Sequence, residues 1–261
     1  MNQYQIDGWH VLQLGLSIGA TASAVTAAVW GLWKLGKRWW YSTFGLRKAQ
    51  AAILDQLACT VSLAYVEDLL GVPRFILGDE RFYSLPGGWV GIQYKDDAVN
   101  LLSITITDSR LWYSTSGMTL EMIDVKLGYD SFAQANEQFD GERLWIGARH
   151  AGYYRHYHFG GAGGGYQQFW LSHNALGAGK FDGVAGRYSS GIYADQDAGG
   201  AAPDPSKITA NTLTILSPTG SVDDVREREL FGPHIDNLRL IWSERKKHQA
   251  QRTSLIARPH Y

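Results

Sequence analysis

The chain reads as an α+β protein, with an N-terminal transmembrane helix, a connecting amphipathic helix and an antiparallel-sheet domain. Three observations lead there. Residues 9–33 carry no formally charged side chain. Aromatic residues make up 13% of the chain and glycine 30 of its 261 residues, a mixture suited to strands joined by turns. Short stretches of alternating apolar and polar residues recur beyond residue 80, which is the period of half-buried strands.

The uncharged run comes first. Spanning a bilayer helically takes about 20 mainly apolar residues, and 9–33 is long enough. All 24 Lys and Arg residues lie at or beyond Lys34, and Lys34, Lys37, Arg38, Arg47 and Lys48 crowd its C-terminal flank. Trp9 marks one end, and Trp30, Trp33, Trp39, Trp40 and Tyr41 the other, where an interfacial aromatic belt sits. The positive-inside rule then places the C-terminal bulk in the cytoplasm. A secretory signal peptide needs a basic start that residues 1–10 lack, although Ala22-Ser23-Ala24 resembles a cleavage site. A buried core helix and a flat interfacial helix also compete with a spanning helix, and the flat one requires a charged face that is missing. Gly15, Gly19, Ser23, Ala27 and Gly31 recur every fourth residue. Such a stripe lets membrane helices approach closely, so self-association or docking to a partner helix is expected there.

The remaining organisation follows in order. Residues 1–8 form a short tail, 34–70 a basic juxtamembrane segment with an amphipathic helix, 71–243 the cytoplasmic α+β domain, and 244–261 a basic flexible tail. Within 47–70, Ile53, Leu57, Val61 and Tyr65 fall on one helical stripe, and Gly71 and Pro73 supply a stop signal. Strands are expected at 81–85, 89–94, 98–107, 144–150, 153–159, 166–173 and 212–216, with Lys95-Asp96-Asp97 as a turn. Leu102, Ile104 and Ile106 alternate with Ser103, Thr105 and Thr107, which predicts a strand with one face buried. Residues 120–127 suit a strand or a short helix, and 195–207 a loop. The pattern LGxxxF occurs at Leu70–Phe75 and again at Leu127–Phe132, each ahead of aromatic strands. This suggests two helix-plus-hairpin repeats, 57–115 and 116–180, in which a glycine caps a helix and an aromatic packs it onto the sheet.

Gly147-Ala148-Arg149, Tyr153-Tyr154, Phe159-Gly160, Tyr166-Gln167, Ser172-His173-Asn174 and Gly177 together resemble the central signature of the ETEC-type domain family. Lys126-Leu127-Gly128 with Phe132, and Asn211-Thr212-Leu213-Thr214, resemble its flanking motifs. The resemblance covers roughly 57–242. It implies uncharacterised bacterial proteins, often with a membrane helix ahead of the domain; together with the charge asymmetry around 9–33 the expectation is the bacterial inner membrane with the N-terminus outside. It implies no activity. Arg155 departs from the pattern, since members commonly carry an acidic residue after the Tyr pair, and the glycine run at 160–165 is looser than theirs. The LGxxxF-plus-hairpin unit also resembles small lipoprotein and lactamase-inhibitor-like modules, which bind proteins.

Candidate chemistry is sparse. His150, His156 and His158 share strand parity, and two histidines at i and i+2 supply half of a zinc site. A third ligand would come from His173, Asp195 or Asp197, and an aromatic sheet face explains the same residues. The glycine run at 160–165 lacks the Lys-Ser/Thr that a phosphate loop requires. No Gly-x-Ser-x-Gly elbow occurs, and Cys59, the only cysteine, suits packing in a reducing compartment. Aromatic and basic residues interleave at 153–159, but a net charge of −1 argues against nucleic acid. The expectation is therefore a membrane-anchored, non-catalytic binding or scaffold protein without a cofactor. Its partners would be lipid, a protein met through Tyr154, His156, His158 and Tyr166, and a second copy met through the membrane helix. A tethered metal-dependent hydrolase and a structural subunit of a membrane complex are the competing functions.

Overall fold

The computed structural model describes residues 45–135, 138–146, 151–161, 165–182, 204–221, 225 and 232–234. The expectations placed on 9–33, on Gly15, Gly19, Ser23, Ala27 and Gly31, on His150, on Asp195 and Asp197, and on 244–261 lie outside these residues, as does the Tyr166 side chain. Among the described residues no helix is long and apolar enough to cross a membrane. The chain divides into two units at Leu46, and the sheet lies in the second.

Where the sequence predicts one amphipathic helix over 47–70, two occur, α1 (Leu46–Leu54) and α2 (Leu63–Leu70). The break has its cause in the sheet. Thr60 takes a φ of 75°, and its N–H donates to the Val99 carbonyl at 2.8 Å while the Val99 N–H donates to Val61 O at 2.9 Å. The β-branched pair Thr60-Val61 thereby joins the sheet margin, a better setting for stiff side chains than a helix. Ser62 then starts α2 by accepting the Tyr65 N–H on its hydroxyl at 3.3 Å. Gly71 ends the helix, donating to Glu67 O at 2.9 Å. The expected stripe is redistributed as a result: Leu54, Leu57 and Val66 are buried, whereas Tyr65 is 41% exposed.

An eight-stranded sheet carries the domain. Its strands are β1 (Phe75–Leu77), β2 (Glu80–Leu85), β3 (Gly88–Lys95), β4 (Ala98–Ile106), β7 (Gly141–Ile146), β8 (Ala151–Gly161), β9 (Gly165–His173) and β10 (Thr212–Leu216). Between β4 and β7, β5 (Tyr113–Ser114) and β6 (Lys126–Leu127) pair with each other as a separate ladder. The sheet order is β1-β2-β3-β4-β10-β9-β8-β7, and every neighbouring pair is antiparallel. Two meanders, β1–β4 and β7–β9, are therefore joined through the last strand of the chain order. Asp96 and Asp97 turn β3 into β4 with φ of 53° and 63°, the paired left-handed geometry that suits a two-residue hairpin. The strand positions and this turn match those read from the sequence.

The two LGxxxF segments each precede a meander, but their glycines end different structures. Gly71 closes α2, while Gly128 follows β6, and Phe132 opens a 3-10 turn (Phe132–Gln134). Phe75 lies in β1, stacked on Phe82 at 4.6 Å between ring centres. Phe132 is fully buried and meets the Tyr153 ring edge-on at 4.7 Å.

One face of the sheet holds the main core, with Val90, Ile92, Leu102, Ile104, Leu213, Ile215, Phe169 and Tyr157 packed beneath α1, α2 and the β5–β6 region. The opposite face does not follow the half-buried prediction. Ser103 and Thr105 are 3% and 0% exposed, because the far side of β4 is covered as well. Val225 packs there against Leu101, Trp170 and Leu216. The backbone at Gly232 approaches so closely that a Cβ would come within 2.3 Å of Thr105 Oγ1. Hydroxyls tolerate this burial by bonding to one another, Thr212 Oγ1 lying 2.9 Å from Thr105 Oγ1. Ser172 and Thr214 are exceptions, since their buried hydroxyls have no partner among the described residues.

Two substitutions in β10 separate these effects. Leu213→Ala should lower unfolding free energy by about 3–5 kcal/mol, through lost burial plus a residual cavity. Thr214→Val, nearly isosteric, should leave stability unchanged or raise it by about 1 kcal/mol by removing an unpaired buried hydroxyl. Urea denaturation of both variants checks the pair.

Candidate functional site

Strands β8 and β9 place the predicted partner-binding residues. Alternation puts Tyr154, His156 and His158 on the face opposite the main core, with Trp170 and Gln168 beside them on β9. Backbone register places Tyr166 opposite Gly160, at the end of the same row. The His156 ring stacks on the fully buried Trp170 at 4.6 Å and 21°, and its Nε2–H donates to Gln168 Oε1 at 2.9 Å. Tyr154 is half-buried and His158 exposed. The result is an oriented aromatic patch with a polar margin.

This patch sits near a sheet edge. β7 pairs with β8 only as far as His156, opposite Gly141. Beyond that point Asp140 takes over: its N–H donates to His156 O at 2.8 Å, and its carboxylate accepts the His158 N–H at 2.6 Å. A carboxylate on an edge strand also discourages indiscriminate pairing with other strands.

The metal reading is divided by the sheet. His173 shares the core-side parity of Phe169 and Leu171, whereas His156 and His158 project from the other face. His173 therefore cannot complete a site with them. Among the described residues no three His, Cys, Asp or Glu side chains are grouped to hold a metal. The same parity splits the aromatic–basic stretch at 153–159: Tyr153, Arg155 and Tyr157 turn inward and are buried. Cys59 sits against Ile215 O at 3.5 Å, and burial pushes its thiol up to about 12, which makes it an unreactive packing residue.

The motif residues at 172–177 and 211–214 do converge, in a buried polar knot. The His173 Nδ1–H donates to Thr209 O at 2.8 Å. Asn211 donates through Nδ2 to Asn174 O at 3.0 Å and Ala178 O at 3.1 Å, and accepts the Asn174 N–H on Oδ1 at 2.7 Å. Gly177 is required by this closeness, because a Cβ there would lie 2.2 Å from Asn211 Cγ. Sequence reading marked these residues as motif positions, and His173 also as a candidate metal ligand. Their role is to lock the turn after β9 onto the start of β10.

Arg155 acts in a similar way within the same meander. It is 8% exposed and donates from Nε to Tyr153 Oη at 3.0 Å and from Nη1 to Phe132 O at 3.0 Å and Ala135 O at 3.3 Å. Glu142 balances it at 3.6 Å and accepts the Tyr153 phenol proton in a hydrogen bond. Burial, with Glu142 alongside, holds that phenol far above the usual tyrosine range. An ionised acidic residue at 155 would have no proton to give those carbonyls.

Burial also holds His173 below the ordinary histidine pKa, so it is neutral in the fold. The unfolded chain takes up a proton below pH about 6.5 that the folded chain resists, so stability contributed by this site falls as the pH drops through that value. His173→Asn keeps a donor for Thr209 O and removes the titration. Thermal midpoints should fall less steeply between pH about 6.5 and 5 in the variant than in the parent, whatever the absolute difference.

Comparison of the chain with protein-family models, curated proteins and solved structures finds no match.

Proposed function

We propose that the chain is a membrane-anchored, non-catalytic binding protein. It is a single-pass protein of the bacterial inner membrane, with the N-terminus outside and the sheet domain in the cytoplasm. The anchor is supported by the uncharged run 9–33 and by the confinement of all Lys and Arg to its C-terminal side. The domain meets a protein partner through Tyr154, His156 and His158. The observation that carries this is the stack of His156 on the buried Trp170, between half-buried Tyr154 and exposed His158. A rigid aromatic centre with a polar rim is the anatomy of an interface hot spot. The Gly15–Gly31 ladder brings two membrane helices together, and tethering raises local concentration so that a modest partner contact becomes effective.

Four measurements test the reading on the full chain. Alkaline extraction of native membranes should leave it in the pellet, and release into the supernatant would remove the anchor. Tyr154→Ala with His158→Glu should lower recovery of a specific co-purifying protein by about tenfold, the scale of a hot-spot residue, with the thermal midpoint held. Unchanged recovery would sink the proposed face, and a stoichiometric transition metal lost on His156→Ala would sink the non-catalytic reading. Gly19→Leu with Ser23→Leu should weaken crosslinking between copies by blocking close approach; undiminished crosslinking would eliminate the ladder as an interface.

A further inference from the structure

A β-bulge at the beginning of β4 builds a polar cleft at one end of the sheet. Gln93 pairs with Leu101 and Tyr94 with Val99, so Asn100 has no partner residue on β3. Asn100 is 7% exposed, and its carbonyl accepts the Ser217 N–H at 2.8 Å. Its side-chain amide makes no hydrogen bond among the described residues, and it lines a cleft of about 290 Å³ together with Thr60, Lys95, Asp96, Ser217 and Thr219. Three separated chain segments thus converge on Asn100, whose amide the cleft opens to solvent. An amide that meets only water there has donors and an acceptor to offer a polar ligand.

The charges at the cleft define that partner. Lys95 and Asp96 both line it, and neither forms an ion pair among the described residues. An anion would face Asp96, and a cation would face Lys95. A molecule carrying one of each satisfies both. The hydroxyls of Thr60, Ser217 and Thr219 and the Asn100 amide offer donors and acceptors to its polar middle. The volume lies at the small end of ligand sites, so the molecule is small.

We propose that this cleft binds a small zwitterion of the free α-amino-acid type. Its carboxylate pairs with Lys95, its ammonium group pairs with Asp96, and its polar atoms satisfy Asn100. The site is separate from the Tyr154–His158 face, so the two readings fail independently.

Titration calorimetry of the full chain in nanodiscs, with the proteinogenic L-amino acids as probes, tests it. N-acetyl-L-alanine, L-alaninamide and glycerol serve as the analogues lacking the ammonium group, the carboxylate and both charges. At least one amino acid should bind, and each analogue should bind about tenfold more weakly or worse, the scale of one lost charged hydrogen bond. Lys95→Met should erase the preference for a carboxylate, and Asp96→Asn the preference for an ammonium group. Asn suits the left-handed backbone at 96, so that variant keeps the turn. Binding by none of the amino acids, equal binding of glycerol, or preferences unchanged in both variants would each overturn the proposal.

Discussion

The domain depends on the insertion of β10 between β4 and β9. Five residues, Thr212–Leu216, pair on both sides, and all of them are buried. Without them β4 and β9 would each present a long unpaired edge, and the two meanders would share no ladder. The pairing is remote in sequence: Thr212 meets Thr105 across 107 positions. Closing such a separation costs chain entropy before any contact compensates. The residues that do the closing are correspondingly well packed, with Leu213 at 0% exposure and Ile215 at 4%.

Polar side chains make that insertion specific. Asn211, one position before β10, uses its amide on both sides of the Asn174–Ala178 turn, so β10 enters at one register. Arg155 ties the Phe132–Gln134 turn to β8 through two backbone carbonyls. Both are buried donors aimed at backbone acceptors. Such groups penalise any alternative arrangement more than they favour the native one, because moving them strands several partners at once. This explains why the motif residues form turns and locks rather than a catalytic constellation.

The far side of the sheet then acquires its meaning. Its centre, around Ser103, Thr105 and Trp170, is covered, while Tyr154 and His158 toward the β7 edge stay accessible. A surface held by a buried tryptophan on one side and open on the other is suited to recognition. Beside the β3–β4 turn, the Asn100 bulge leaves a different kind of place, small and polar. The two lie on the same scaffold but answer to different chemistry.

Periodicity and turn chemistry made the elements legible in the sequence. The seven expected strands have counterparts, the Asp96-Asp97 turn is where the aspartates place it, and Gly71 stops a helix as read. The α+β class and the alternation of Tyr154, His156 and His158 follow from the chain alone, because φ/ψ preferences and the period of two are local properties. Tertiary structure decided the rest. It broke the helix at Thr60-Val61, where β4 offered backbone partners, and it buried Ser103 and Thr105 by laying distant residues over them. It set His173 against the opposite face from His156, and it opened a polar cleft at Asn100. Each of these depends on which segments become neighbours, and that is fixed by contacts between separate elements, which no local pattern encodes.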